Sequence, residues 1–452
     1  MKNIYSPFLF LYFLLVTKCS IGQTISQQAN TILLKDSAIG MGHIGISVYE
    51  PSTGKYWYNY NATKYFIPAS NTKLFSLYAG MKYLGDSITG LKYQVKDNGE
   101  YLLYPSGDPT FLHPDFKQQL VFSFLKSIPS NLTFISNNWR ANPYGRGWAW
   151  DDYNDDYMAE RSMMPVYGNV VSFNYIKDKL TASPYSKFDL KYSADYKIGE
   201  APDLLSINKK RSAQLFSIKR KKDKNEFEFI KTDQAFEPVT IPFITNTGLL
   251  IDMLTDTLHL QNEQLKFAAT DVIPGKNLKV IHTQPVDSVF TPMMHRSDNF
   301  FAEQTLLMAS NEYLGYMNEG DMIDTILKST LKTIPQKPVW VDGSGLSRYN
   351  LFTPQSFVYI LNKMKDEFGM ERMKKILPTG GEGTLKSYYK NKTGYIFAKT
   401  GTLSNNVALS GYLITKNNKL LIFSIMAGNY PTSATPVRKA VEKFLTYLQE
   451  KY

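Results

Sequence analysis

One cysteine in 452 residues, Cys19, leaves the chain beyond residue 19 with neither a disulfide framework nor a thiol nucleophile. Only five histidines occur, none in H-E-x-x-H or another metal-ligand spacing, so the sequence points to no metal and no cofactor. No G-x-S-x-G elbow is present. Gly343-Ser344-Gly345 lacks that spacing and is expected to form a tight turn near the rim of a site. Apart from residues 8–16, no apolar run approaches the roughly 20 residues that cross a bilayer, so no integral membrane span is expected. There is no basic helix interleaved with aromatics, which argues against nucleic acid as a partner.

What remains is ordinary globular material, 43% hydrophobic and 20% charged, long enough for two or three domains. The first 22 residues read as a signal peptide, so a secreted, periplasmic protein is expected. Lys2 supplies the positive end, residues 8–16 the apolar stretch, and Ser20 and Gly22 the small residues before a cut at Gln23. The alternative is lipoprotein processing at Cys19, for which Lys18 is a poor neighbour. The net charge of +11 is scattered, apart from Lys209-Lys210-Arg211 and residues 219–224.

Strand and helix signals concentrate at the two ends. Residues 43–50 and 55–60 are β-rich and joined by a Pro-Ser-Thr-Gly turn, and residues 74–84 read as a helix behind Pro68. Residues 395–402, 408–415 and 420–427 read as three successive strands, followed by an amphipathic helix over 435–452. This predicts an α+β fold whose main sheet is built from both termini, residues 23–90 and 281–452. Residues 91–280 form an inserted β-rich region, with a nested subdomain expected near 180–235.

Three short motifs stand in order on these elements: Ser70-Asn71-Thr72-Lys73, Ser297-Asp298-Asn299 and Lys399-Thr400-Gly401. On a helix, residues i and i+3 share a face, so Lys73 can take the Ser70 proton when its amine is neutral, a state favoured by burial beside other positive charge such as Lys399. Lys399 can attract a peptide carboxylate, and its strand, through Thr400, Gly401 and Thr402, can pair with an extended substrate. The amides of Ser70 and Thr402 would make an oxyanion hole. Ser297 would relay a proton and Asn299 would hold the substrate amide. Taken singly the motifs are weak: S-x-x-K also starts at Ser52 and Ser329, and Lys392-Thr393-Gly394 is a nearby decoy. Their order and placement make the case.

With PSGDPTF (105–111), GRGWAWDD (145–152), VDGSGLSRYN (341–350) and LPTGGEGTLK (377–386), the chain resembles the D-alanyl-D-alanine carboxypeptidase/endopeptidase family, the class C low-molecular-mass penicillin-binding proteins. The resemblance implies a serine β-lactamase/transpeptidase-like domain, an antiparallel sheet flanked by helices, carrying inserted domains. It implies an acyl-serine peptidase acting on D-Ala-D-Ala bonds of peptidoglycan peptides and acylated by β-lactam antibiotics. It also implies that Asp152, Tyr157 and Arg348 hold the side chain of the substrate's D-centre residue, although Arg348 has an alternative partner in Asp342. A serine β-lactamase and an inactive wall-binding protein are the competing readings. Carboxypeptidase and endopeptidase are not separated at this level.

Overall fold

The computed structural model describes residues 24–129, 131–176, 179–184, 188–192, 216–232, 235–260, 264–268 and 278–452. The expected signal segment with Cys19, residues 193–215 of the nested stretch and the Lys209-Lys210-Arg211 run lie outside these.

An antiparallel five-stranded sheet is built from both ends of the chain. Its order is β14 (Ile396–Leu403), β15 (Asn406–Ile414), β16 (Leu420–Gly428), β1 (His43–Glu50) and β2 (Lys55–Tyr60). The two ends of the chain thus meet at the β16–β1 pairing, where His43 faces Gly428 and Tyr49 faces Ile422. Both faces are covered, so alternate residues of one strand feed different cores. Phe423, Ile425 and Ala427 pack beneath α9 (Ala434–Lys451) and the helical segment at 24–34, while Ile422 and Met426 face α1 (Lys73–Tyr83), α5 (Asn299–Leu314) and α7 (Pro354–Phe368). Val437, Val441, Phe444, Leu445 and Leu448 line the buried stripe of α9, each contributing about 1.5–3 kcal/mol by leaving water. The expected strands of this sheet and the closing helix are present within one or two residues.

Helix α5 is different. It is buried on all sides, so it shows no amphipathic stripe, and its polar residues are partnered internally. Gln304 donates to the carbonyls of Gly107 (2.7 Å) and Ser162 (2.9 Å).

The remaining strands form one further five-stranded sheet and two three-stranded ones. One has the order β12 (Leu265–Ala268), β5 (Leu132–Ile135), β4 (Tyr101–Pro105), β3 (Ser87–Val95) and β13 (Lys279–Pro285). The others are β11 (Val239–Pro242), β6 (Val170–Ile176), β7 (Lys179–Ser183), and β8 (Asp189–Tyr192), β10 (Glu226–Lys231), β9 (Phe216–Arg220). They share a core of Phe134, Phe173, Phe216, Phe227 and Phe229. Strands β3 and β13 run through residues 90 and 280 and pair with each other, so the chain enters and leaves this region on adjacent strands. The PSGDPTF segment staples that doorway. Asp108 accepts from the Thr110 amide (2.8 Å) and from Thr283 Oγ1 on β13 (2.7 Å), and Ser106 donates to Gly90 O (2.7 Å).

Candidate active site

Ser70 sits in a 3-10 turn (Ala69–Thr72) immediately ahead of α1, where an α-helical start was expected. With three residues per turn, i and i+3 eclipse, which suits the Ser-x-x-Lys pair better than an α-turn would. Ala69 holds φ +48°, a sparsely populated conformation for alanine that costs on the order of 1–3 kcal/mol and persists because surrounding groups fix it. Thr72 Oγ1 bonds Ala69 O (2.9 Å), and Gly345, at φ +83°, packs so closely that a Cβ there would lie 1.9 Å from Ala69 O.

Lys73 is fully buried. Its amine donates to Ser70 Oγ (2.9 Å), Asn299 Oδ1 (2.6 Å) and Ser344 O (2.8 Å). Among the described residues no carboxylate pairs with it directly. Burial lowers its pKa to about 8, while Asp342, Glu303 and Asp298 pull the other way. Of the two expected causes, burial is the one that depresses Lys73, and the Lys399 charge is not among the groups that act on it. Lys399 is itself fully buried and held well below the usual amine range, first by burial and then by the Lys73 charge. Its Nζ donates to Ser297 Oγ (2.9 Å) and Thr400 O (2.7 Å). Ser297 holds φ +63°, a second strained backbone position beside a reacting group.

Asn299 is the first residue of α5, behind an Asp298 cap that accepts from Phe301 N (3.0 Å). Its Nδ2 donates to Tyr157 O (2.9 Å), which fixes Oδ1 toward Lys73. Asn71, at an x position of the first motif, donates to Lys399 O (2.9 Å) and Ala408 O (3.3 Å), tying the nucleophile turn to β14. Gly401 is required there, because a Cβ would meet Pro68 O at 2.5 Å. The decoy Lys392 lies elsewhere, bonded to Gln449 and Glu450.

The VDGSGLSRYN loop forms the floor of the site, not its rim. Both oxygens of buried Asp342 are doubly used: Oδ1 by Gly345 N (2.9 Å) and Asn350 Nδ2 (2.7 Å), Oδ2 by Ser347 N (2.7 Å) and Trp148 Nε1 (2.9 Å). Arg348 therefore does not pair with Asp342. It turns outward, donating to Ser404 O at 3.3 Å.

Glu303, missed in the sequence, accepts from Ser344 N (2.7 Å) and pairs with buried Arg161 (3.3 Å), which also meets Glu319 (3.0 Å). Burial, with Asp342 adding to it, raises Glu303 to about 7. Its partner in the loop lies 41 residues away, and no local pattern announces such a contact.

At the rim, the Tyr157 hydroxyl donates to Asp155 (2.9 Å), and its phenol is pushed up by burial and by that bond. Burial raises Asp152, opposed by Tyr157 and Arg348. A cavity of about 340 Å³, lined by His113, Asp156, Tyr157, Arg296, Ser297 and Asn299 among others, adjoins this edge.

The arrangement is a serine facing a buried, proton-accepting amine, with a second serine–lysine pair beside it and an edge strand alongside. Comparison with known proteins fits this chemistry. The sequence profile of the D-Ala-D-Ala carboxypeptidase 3 (S13) family matches residues 26–450. A D-alanyl-D-alanine carboxypeptidase of Actinomadura sp. (strain R39) is 24% identical over 90% of this chain and 82% of its own length. The crystal structure of penicillin binding protein 4 from Haemophilus influenzae superposes with a TM-score of 0.72 at 17% identity, covering 94% of this chain and 99% of that one. The same protein complexed with a β-lactam gives 0.67 at 16% identity, covering 95% and 99%. The fold is accordingly α+β of the penicillin-binding type with inserted β-rich sheets. With nearly its whole described length matched, this chain belongs to the D-Ala-D-Ala carboxypeptidase 3 (S13) family.

Proposed function

We propose that the protein hydrolyses D-Ala-D-Ala-type bonds in peptidoglycan stem peptides through an acyl group on Ser70, as a carboxypeptidase, an endopeptidase or both. The observation that carries this is the Lys73 amine, buried, without a direct carboxylate partner and 2.9 Å from Ser70 Oγ. Above its pKa of about 8 it is neutral and accepts the Ser70 proton as Oγ attacks the scissile carbonyl. The oxyanion is taken by the amides of Ser70 and Thr402. In support, Ala398, of the same strand parity as Thr402, directs its N–H away from β15 to Pro378 O. Ser297, bonded to Lys399, relays to the leaving amine the proton that Lys73 took from Ser70, and water then releases the acyl group, its proton restoring the Ser70 hydroxyl.

Asn299 positions the substrate amide, and the open edge of β14 at Lys399, Thr400, Gly401 and Thr402 pairs with the peptide backbone. Asp152, Tyr157 and Arg348 take the D-centre side chain, and their opposite charges suit a zwitterion such as diaminopimelate. β-Lactams acylate the same serine, as befits a relative of a protein solved with one bound. The reading includes export to the periplasm, where peptidoglycan lies, on the strength of the apolar run at residues 8–16. Its division of the chain treats residues 23–90 and 281–452 as the catalytic unit, with the inserted region entering and leaving on the paired β3 and β13.

Intact-mass analysis with excess benzylpenicillin tests it. A lasting single adduct, absent in Ser70→Ala, is expected. An adduct that vanishes within seconds as drug is consumed would make the protein a β-lactamase, and no adduct would overturn the assignment.

A further inference from the structure

Arg438 stands half-buried near the start of α9, on the far side of β14 from the nucleophile helix. One guanidinium nitrogen, Nη2, donates to Thr402 Oγ1, and the group lies 5.9 Å from the centre of the Tyr388 ring. Among the described residues no carboxylate pairs with it. Arg161, Arg296 and Arg372 are bonded to Glu or Asp, while Arg220 and Arg348, also without a carboxylate partner, spend their donors on backbone carbonyls. A cation without a counter-ion, held on an exposed hydroxyl of the open edge strand, leaves most of its donors for an anion arriving there.

A terminal D-amino acid carries such an anion, and Lys399 is poorly placed to meet it alone. Its amine is fully buried and already bonded to Ser297 Oγ and Thr400 O. Burial and the Lys73 charge also favour its neutral form, whereas a guanidinium stays charged at any working pH. Thr402 adds a second element. Because its oxygen accepts from Arg438, its O–H is left to donate outward.

The geometry points to Arg438, acting with the Thr402 hydroxyl, as the group that binds the free α-carboxylate of the residue leaving Ser70. This makes it a specificity-determining residue and rests on the Ser70 peptidase reading. Arg438 selects for substrates that end in a carboxylate, and it does so from the closing helix, some 36 positions beyond the strand it serves.

The test compares an N-acylated tripeptide ending in D-Ala-D-Ala with its C-terminal carboxamide, on wild type, Arg438→Gln and Arg438→Lys. Complete labelling by excess benzylpenicillin over hours reports that each variant keeps a folded, competent nucleophile. In Arg438→Gln, kcat/KM for the acid falls roughly 10- to 100-fold, mostly through KM, with less than about a threefold change for the amide. Arg438→Lys recovers part of the loss. An acid-to-amide ratio that is the same in Arg438→Gln as in wild type overturns the inference while leaving the peptidase reading intact. A wild type that cleaves neither peptide and takes no penicillin overturns both.

Discussion

At the floor of the cleft Lys73, Glu303, Asp342, Ser344 and Lys399 are at most 1% exposed, while at the rim Tyr157 is 40% exposed and Arg348 reaches into solvent. Floor groups are cross-bonded largely through one loop: Glu303 holds the Ser344 amide, whose carbonyl holds Lys73, and Asp342 holds three donors of the same turn and the Trp148 indole. Rim groups bond to one another and to single carbonyls. The floor is a preorganised low-dielectric site in which burial sets the proton affinity of the reacting groups. The rim is a screened surface on which a charge is worth little unless a ligand desolvates it.

That contrast predicts a hierarchy of effects. The largest is Lys73→Ala, which should slow acylation by benzylpenicillin roughly 10³- to 10⁴-fold, read by stopped mass spectrometry. Gly345→Ala comes next. Its Cβ cannot coexist with Ala69 O at 1.9 Å, and φ +83° strains any side chain, so acylation should fall by on the order of 10²-fold. The reduced unfolding temperature of that variant is expected to leave it folded at 25 °C.

Glu303→Gln should shift a pH profile more than a rate. The Glu303 anion raises the Lys73 pKa, so its removal lets Lys73 lose its proton at lower pH. The acid limb of acylation should move down from about 8, by roughly half a unit to one unit, with the plateau within about threefold. An unmoved limb would mean that Glu303 only braces the loop. The smallest effects belong to the rim. Asp152→Ala and Arg348→Ala should raise KM by roughly 3- to 30-fold for diaminopimelate peptides and leave penicillin acylation within about twofold. Rim variants as damaging to penicillin acylation as Lys73→Ala would break the comparison altogether.

The floor was half legible in the sequence. Ser70, Lys73, Ser297, Asn299 and Lys399 could be found because each motif is short and lies on one turn or strand, where spacing dictates geometry. Asp342 lay within a quoted motif and Glu303 one helical turn beyond Asn299, but their roles depend on partners far along the chain: Ser344 for Glu303, Trp148 at a separation of 194 positions for Asp342. Asn71 was hidden as an x in S-x-x-K, since nothing local reveals that it bridges two strands. Arg438 sits on the polar side of an amphipathic helix, where the ordinary reading of a cation is solvation.

In the fold, β15 and β16 were visible because each is apolar and buried on both faces, and β2 because it is rich in aromatics and follows a turn signal. β13, KVIHTQP, is half-exposed and lacks alternation, so its pairing with β3 was not visible.

The β16–β1 pairing has a temporal meaning. Strand β1 emerges from the ribosome some 370 residues before its neighbour, so the sheet cannot close until β16 has been made, and Lys399 cannot reach Ser297 until β14 has. Contacts of such sequence separation form slowly. A chain bearing Ser70 and Lys73 early and Lys399 late brings its candidate site together only after the far strands have been made.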